Sequence, residues 1–298
     1  MLATTDLWFR YQDEPVLKGL TLDFSRHAVT GLVGANGCGK STLFMNLSGL
    51  LRPQSGAVLW QGKPLDYSKR GLLALRPQSG AVLWQGKPLD YSKRGLLALR
   101  QQVATVFQDP DQQIFYTDID SDIAFSLRNL GVAEEEIARR VDEALTLVDA
   151  QGFRQQPIQC LSHGQKKRVA IAGALVLQAR YLLLDEPTAG LDPRGRAQMI
   201  DIIKRIADRG NHVAISSHDI DLIYEVSDAV YVLRHGEVLA EGEPGEVFAC
   251  AETMARAGLT QPWLVKLHSE LGLPLCKTEA EFFQRMRNDA IGAIKEAS

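Results

Sequence analysis

Hydrophobic and polar positions follow two different periods along the chain, which predicts strands interleaved with helices. Leu20, Leu22 and Phe24 alternate with polar residues, as in a half-buried strand. The run 181–184 is continuously apolar, as expected of a parallel strand buried on both faces. The predicted strands are 7–12, 20–24, 29–33, 103–107, 181–184 and 212–218, followed by a hairpin of 229–233 and 238–241 that turns at 234–237.

Other segments repeat their apolar residues with helical spacing. Residues 121–150 carry apolar side chains on one face and charged side chains on the other, so we expect them to be helical. A short helix is predicted from 43–47, and an apolar helix over 169–177. The apolar face of the long segment comprises Ile137, Val141, Ala144, Leu145 and Val148, and a later helix runs through Ile200, Ile203 and Ile206.

The residues after 248 change character and predict two further helices. Trp263, Leu264, Leu267 and Leu271 mark one helix, which Gly272 closes. Thr278 and Glu281 have the spacing of a capping box for a second helix. That helix carries Phe282, Phe283 and Met286. We expect a small helical packing element here, with a regulatory or docking role as the alternative.

Composition excludes several classes of protein. The 298 residues are 45% hydrophobic and 23% charged, which is ordinary for a globular protein. A net charge of -3 does not favour nucleic acid as the main partner. No apolar stretch is long enough to span a membrane, and the first ten residues contain no secretory signal. We therefore expect any connection to a membrane to run through another protein.

Four cysteines are scattered through the chain without the paired spacing of a zinc site. Their positions are Cys38, Cys160, Cys250 and Cys276. We expect neither a disulfide framework nor structural zinc, and a reducing cytosol fits this pattern best.

Residues 51–74 recur without a single change as residues 75–98. Repeat architectures need about three or more units that drift in sequence, so two identical copies indicate a recent tandem duplication or a cloning or sequencing accident. Each copy carries one strand-like and one helix-like segment, and we expect the core to hold one set. The other copy is predicted to be looped out on the surface, at a low cost in loop-closure entropy.

Residues 34–42 have the pattern G-x-x-x-x-G-K-[ST] of a phosphate-binding loop. An apolar strand precedes this loop and a helix follows it, which is the context that the motif requires. Backbone N–H groups of the loop can surround a phosphate, and the helix directs its positive end at the same anion. We expect Lys40 to neutralise the β- and γ-phosphates and Ser41 to ligate Mg²⁺. The loop comprises Gly34, Ala35, Asn36, Gly37, Cys38, Gly39, Lys40, Ser41 and Thr42.

Two acidic residues end the apolar run at 181–184. Asp185 is placed to hold Mg²⁺ beside Ser41, and Glu186 to deprotonate a water that attacks the γ-phosphate. The sequence therefore predicts a site that binds and hydrolyses a nucleoside triphosphate with Mg²⁺.

Further motifs make the chain resemble the ATP-binding cassette proteins over residues 1 to about 248. Leu161, Ser162, His163, Gly164 and Gln165 resemble the signature motif, in which the family usually has glycine where His163 stands. Gln108 matches the Q-loop, Asp192 the D-loop and His218 the switch histidine. The interval from Lys40 to Gln108 also comes closer to the family's spacing if one copy of the repeat is removed.

The resemblance implies a fold and an assembly. The expected fold is an α/β P-loop NTPase cassette, with a RecA-like core, an antiparallel β-subdomain and a helical signature subdomain. Residues 1–248 would form the cassette and 249–298 a small C-terminal helical extension. Two cassettes, identical or paralogous, would pair head to tail, so that Ser162 and the backbone N–H of Gly164 bind the partner's ATP.

The same resemblance implies roles for individual residues. Tyr11 would stack on adenine, although its position before a turn also fits simple packing. Lys40 and His218 would contact the γ-phosphate, Glu186 would be the base, and Ser41, Gln108 and Asp185 would surround Mg²⁺.

The segment 107–115 resembles the Q-loop of ATPases that drive energy-coupling-factor importers, and the chain is most similar to those of cobalt importers. This implies a peripheral ATPase on the cytoplasmic face of the membrane, where Gln108 couples nucleotide state to a membrane subunit. The resemblance implies contact with neither cobalt nor nucleic acid. The alternatives are a soluble cassette acting on nucleic acid or ribosomes, a cassette made inactive by the duplication, and a partner that binds ATP without hydrolysing it.

Overall fold

The computed structural model describes residues 2–60, 63–64, 83–84, 87–88 and 99–296, and it arranges their strands in two sheets. The strands are β1 (Leu2–Arg10), β2 (Pro15–Asp23), β3 (Val29–Val33), β4 (Ser55–Trp60), β5 (Lys63–Pro64), β6 (Leu83–Trp84), β7 (Lys87–Pro88), β8 (Val103–Val106), β9 (Tyr181–Asp185), β10 (His212–Ser217), β11 (Ala229–Arg234) and β12 (Glu237–Gly242). One sheet has the order β2-β1-β4-β6-β7, with β5 beside β4. The other has the order β12-β11-β3-β10-β9-β8.

The second sheet is parallel from β11 to β8, and it forms the centre of the fold. Every residue of β3 and β9 is buried, as the continuous apolar runs predict. The hairpin of β11 and β12 is also confirmed, and it adds an antiparallel edge strand. Because the parallel strands share one direction, the loops after β3, β9 and β10 leave the sheet at the same edge.

In the first sheet, the bounds of β1 differ from the prediction. Strand β1 starts at Leu2 and ends at Arg10, whereas the pattern predicted 7–12. It pairs with β2 on one side and β4 on the other, so backbone hydrogen bonds extend it beyond the segment that alternates. The tip of the hairpin holds this sheet against the parallel one, since the Lys18 N–H donates to the carbonyl of Gly236 at 2.8 Å. A Cβ on Gly236 would collide with the Val16 carbonyl, so this contact requires glycine.

The helices are α1 (Lys40–Leu47), α2 (Ile119–Asn129), α3 (Glu134–Leu147), α4 (His163–Leu175), α5 (Pro193–Asp208), α6 (Ile220–Val226), α7 (Pro244–Ala249), α8 (Ala251–Ala257), α9 (Trp263–Leu271) and α10 (Glu279–Glu296). The predicted helical segment 121–150 is interrupted. Gly131, at a φ of 71°, and the N–H of Val132, which donates to the Leu127 carbonyl, end α2. The apolar face predicted for the second half is buried. No helix among the described residues has the length and apolar character that crossing a membrane requires.

Helix α4 begins six residues earlier than the predicted start at 169. The Ser162 side chain accepts from the N–H of Gln165, and the Gln165 side chain accepts from the N–H of Ser162. This reciprocal capping box starts the helix before its apolar residues begin, because it satisfies N–H groups that the first turn leaves unpaired. Of the signature residues, Ser162 is therefore the N-cap of α4, and His163, Gly164 and Gln165 lie in its first turn.

Parts of both repeat copies contribute to the first sheet. Strand β4, from the first copy, pairs with β1. Leu83, from the second copy, pairs in parallel with Leu59, which occupies the same position in the first copy. The prediction that one copy is looped out falls mostly on residues outside the described ones.

The C-terminal helices share the hydrophobic core of the parallel sheet. Leu264, Val265, Cys276 and Phe282 are buried in the same cluster as the strands. Three hydrogen bonds join this region to α6 and its end: Trp263 N to Asp221 at 2.9 Å, Tyr224 Oη to the Cys276 carbonyl at 3.0 Å, and Lys277 Nζ to the Ser227 carbonyl at 2.7 Å. Helix α9 ends at Gly272, as predicted. The boundary at 248 stays a prediction, and this continuous core indicates that the two parts unfold together.

Two leucines of α9 test this shared core. Leu264 is buried, and Leu264→Ala should lower the free energy of unfolding by about 2–5 kcal/mol through lost burial and a residual cavity. Leu271→Ala is the matched control, because that side chain is 65% exposed and should change it by about 0.5 kcal/mol or less. Thermal and urea unfolding of both variants measure the difference. An unchanged main transition for Leu264→Ala would show that the extension unfolds separately.

Candidate nucleotide-binding site

The phosphate loop lies between β3 and α1, as the sequence predicts. Gly39 occupies the N-cap of α1 with a φ of 109°. This backbone conformation favours glycine, and a Cβ at this position would also lie 2.7 Å from Cδ2 of the buried Leu17 and displace it. The loop is therefore fixed against β2, with the N-terminus of α1 directed into it.

Lys40 is the first residue of α1 and is buried. Its Nζ donates to the carbonyl of Gly34 at 2.7 Å and to that of Ala35 at 3.4 Å. The ammonium thus lies across the opening of its own loop, where phosphate oxygens would meet both the charge and the N–H groups of the helix.

Glu186 and His218 lie together at the ends of neighbouring strands β9 and β10. The Glu186 carboxylate accepts from the backbone N–H of His218 at 3.0 Å and from Ser217 Oγ at 3.1 Å. Nδ1 of His218 lies 2.9 Å from the same carboxylate, while the imidazole is 62% exposed. The structure thus joins a buried carboxylate to an exposed histidine, which is an arrangement suited to proton transfer beside a phosphate.

The three predicted Mg²⁺ ligands line one cavity of about 490 Å³, together with Met45 and Phe107. Ser41 contributes a hydroxyl, Gln108 an amide carbonyl and Asp185 a carboxylate. Asp185 is buried, and its carboxylate accepts a hydrogen bond from Ser216 Oγ. Oxygen ligands of this kind suit Mg²⁺, so the residues fit the ion.

The signature residues line a second cavity of about 490 Å³ between α4 and α5. Ser162, Gly164 and Gln165 border it, while Leu161 is buried and does not line it. Asp192 accepts from the N–H of Gly195 at 2.7 Å and so caps α5 at its rim. His163 and Gly190 border both cavities. The structure thus does not bring Ser162 and Gly164 onto the phosphate loop of their own chain.

Comparison with known proteins identifies the family. The family model described as ABC transporter matches residues 17–74 and 72–189, which is more than half of the chain. The chain belongs to this family. The two matched pieces meet at 72–74, where the first repeat copy ends, so the match itself breaks at the duplication.

Relatives and solved structures agree with this assignment to the ABC family. The cobalt import ATP-binding protein CbiO of Salmonella paratyphi A is 78% identical over 298 residues, covering all of both chains. The energy-coupling factor transporter ATP-binding protein EcfA of Methanocaldococcus jannaschii is 41% identical, over 90% of this chain and 88% of its own. The structure of cbiO1 from Clostridium perfringens, part of the ABC transporter complex cbiONQ, has 38% identity and a TM-score of 0.70, and covers 89% of this chain and 97% of that one.

Tyr11 lies beside the phosphate loop of this ABC cassette. Its hydroxyl is 3.3 Å from Oγ1 of Thr42, and its ring packs edge-on against Phe9 with centroids 5.0 Å apart. The side chain is nevertheless 60% exposed, so a ring face remains accessible. These contacts combine packing with access, and stacking on adenine stays a prediction.

Lys167 contacts the site although no motif in the sequence marks it. This lysine is 2% exposed, and its Nζ donates to the backbone carbonyl of Glu186 at 2.7 Å. Desolvation lowers its pKa to about 8, although Glu186, Asp185 and Asp109 oppose that shift. The sequence carries no local signal for this burial, because a lysine in a helix is usually exposed and its partners, Glu186 and Pro187, lie outside α4.

The reactivity of two cysteines tests whether Cys38 is buried within the phosphate loop. Burial raises the pKa of the Cys38 thiol, with Lys40 opposing the shift, whereas hydrogen bonding by Thr253 lowers the pKa of Cys250. A higher pKa means less thiolate at neutral pH, and Cys250 is also exposed. Alkylation by iodoacetamide should therefore be slower at Cys38 than at Cys250 by about tenfold or more. Peptide mapping over time measures both rates, and equal rates would contradict the buried placement of Cys38.

Proposed function

We propose that this chain is the ATP-hydrolysing subunit of an energy-coupling-factor importer for cobalt. The contact between Glu186 and His218, at the same end of the parallel sheet as the phosphate loop, is the observation that carries the ATPase activity. The identity of 78% to a cobalt import ATP-binding protein over the full length of both chains supports the cargo.

The residues divide the reaction between them. The loop 34–42 binds the triphosphate, and Lys40 neutralises charge on its β- and γ-phosphates. Ser41, Gln108 and Asp185 would hold Mg²⁺, which neutralises phosphate charge when bound. Glu186 accepts a proton from the attacking water, whose oxygen bonds to the γ-phosphorus while the bond to the β-phosphate oxygen breaks. His218 stabilises the charge of the transferred group, and the products are ADP and phosphate.

We also propose that two cassettes complete each site. Ser162 and the N–H groups at the start of α4 border a cavity separate from the cavity that Ser41 lines, so a second chain would supply them to the nucleotide. The start of a helix is a favourable place for a phosphate anion. The partner cassette is either a second copy of this chain or a paralogue.

An apolar groove beside the Q-loop is the proposed contact for a membrane subunit. Phe115 is 74% exposed, and Leu50 and Phe125 are exposed along the same cavity of about 330 Å³. Ala170 and Gly173 of α4 line it as well, so the groove touches the signature helix. Exposed apolar patches of this kind mark protein contacts. The chain would then be peripheral on the cytoplasmic face of the membrane, and cobalt would pass through its partner.

Glu186→Gln tests the catalytic assignment. This variant keeps the shape of the side chain but removes the base, so ATP turnover should fall by about 100-fold or more. ATP binding should persist, and the variant should pair in ATP because it cannot hydrolyse it. Phosphate release, nucleotide binding and size-exclusion chromatography give the three measurements.

Glu270→Gln on α9 is the control, because that side chain is 62% exposed and lines neither of the two cavities of the site. Cobalt uptake by cells that depend on this chain should fall together with turnover. Unchanged turnover in Glu186→Gln would refute the catalytic role. Lost turnover with normal cobalt uptake would instead favour a soluble cassette acting elsewhere.

Deleting residues 75–98 tests whether the duplication inactivates the cassette. Deletion of either copy yields the same polypeptide, because the copies are identical. Loop-closure entropy changes by only about 0.6 kcal/mol per doubling of length, so turnover should stay within about threefold of the full chain. Phosphate release by the two purified chains measures this. Activity in the shortened chain alone would show that the full chain is an inactive cassette.

A further inference from the structure

Lys167 carries a buried charge that the proposed mechanism does not use. It lies in the second turn of α4 and is 2% exposed. A buried ammonium is costly unless it is hydrogen-bonded, and here Nζ donates to the Glu186 carbonyl at 2.7 Å and to the Pro187 carbonyl at 3.3 Å. The side chain therefore joins the signature helix to the backbone that follows β9.

The backbone of Glu186 needs such support. Its φ is 48°, a left-handed conformation that costs a residue other than glycine about 1–3 kcal/mol and persists only where the surroundings hold it. The Glu186 N–H donates to the Ser216 carbonyl at 2.9 Å, and the carboxylate is held by Ser217 and His218. The contacts to Ser216, Ser217 and His218 all come from β10 and the residue after it. The Glu186 carbonyl accepts from the N–H of nearby Ala189 at 3.2 Å, and Lys167 adds a shorter contact to it from a different element.

Helix α4 gives this contact a particular position. Its N-cap, Ser162, and Gly164 border the cavity proposed to receive the partner's nucleotide. Lys167 follows within the same short helix, so the two ends of this segment move as one rigid body. The helix that would bind the partner's nucleotide thus also holds Glu186, which is the proposed general base for the nucleotide of its own chain.

We propose that Lys167 is a positioning residue, which holds the backbone of Glu186 from the signature helix so that its carboxylate faces the attacking water. This inference rests on the proposed ATPase function. A displacement of about 1 Å of a catalytic group can cost about 100-fold in rate, so the loss of this contact should act on turnover. Nucleotide binding should be spared, because the hydrogen bonds of the Lys167 side chain go to Glu186 and Pro187 and not to the phosphate loop.

Lys167→Met tests this role, because methionine keeps an unbranched side chain of similar length but has no donor. We expect kcat to fall by about 10- to 100-fold while the KM for ATP stays within about threefold. The Kd for ATP and ATP-dependent pairing, both measured in the Glu186→Gln background, should be unchanged. Lys167→Arg keeps the charge and N–H donors and should recover part of kcat.

Lys266→Met is the matched control, since Lys266 is 59% exposed and pairs only with Glu270 at 3.6 Å among the described residues. It should leave kcat within about twofold. Thermal unfolding verifies that each variant is folded, and Lys167→Gln, which shortens the side chain and removes the charge, replaces Lys167→Met if that variant does not fold.

Two results would overturn the role of Lys167. One is a folded Lys167→Met with a kcat within twofold of the wild type, and the other is a rise in KM without a change in kcat. If Lys167→Met does not fold, a folded Lys167→Gln with a kcat within twofold of the wild type would also refute the role, because the shorter side chain cannot reproduce the contact of Nζ with both carbonyls. Failure of the proposed function looks different, because the wild-type chain would then show no turnover or Glu186→Gln would retain it.

Discussion

Parallel pairing of β10 with β3 on one side and β9 on the other is the constraint on which the site depends. The register sets Ser217 opposite Val33 and Ser216 opposite Asp185. The phosphate loop, the two acidic residues and His218 therefore leave the sheet at one edge, although they are far apart in the chain. Main-chain hydrogen bonds fix these relative positions, so the side chains at the ends of β9 and β10 are close enough to contact one another directly.

Around that edge, polar groups are buried where they orient a carboxylate. Ser216 binds Asp185, and Ser217 binds Glu186, both from the central strand. Lys167 approaches from the helical side and holds the carbonyl of the same glutamate. Burial makes each of these contacts directional and costly to lose, because an unpaired polar group inside the protein has no water to replace its partner. The site is thus oriented by groups that need not touch the nucleotide.

Local signals allowed much of the fold and site to be predicted. The phosphate loop, the buried strands β3 and β9, the hairpin of β11 and β12 and the end of α9 at Gly272 depend on short patterns with a local physical cause. The start of α4 differed, because its capping box precedes the apolar residues. The extent of β1 and the burial of Lys167 could not be derived in the same way, since both depend on partners distant in sequence. Periodicity assigns lysine to the surface unless its contacts across the fold are known.

The contacts of β2 have a consequence for the size of the ligand. Leu17 touches Gly39 of the phosphate loop, and neighbouring Val16 touches Gly236 at the hairpin tip. These two contacts hold the sheet that leads to Tyr11 against the sheet that carries the phosphate loop. The distance between the ring of Tyr11 and the ammonium of Lys40 is therefore set by the contact between the two sheets. If a ligand contacts both groups, as the sequence predicts for ATP, its length must match this distance, so the scaffold would select for the number of phosphates.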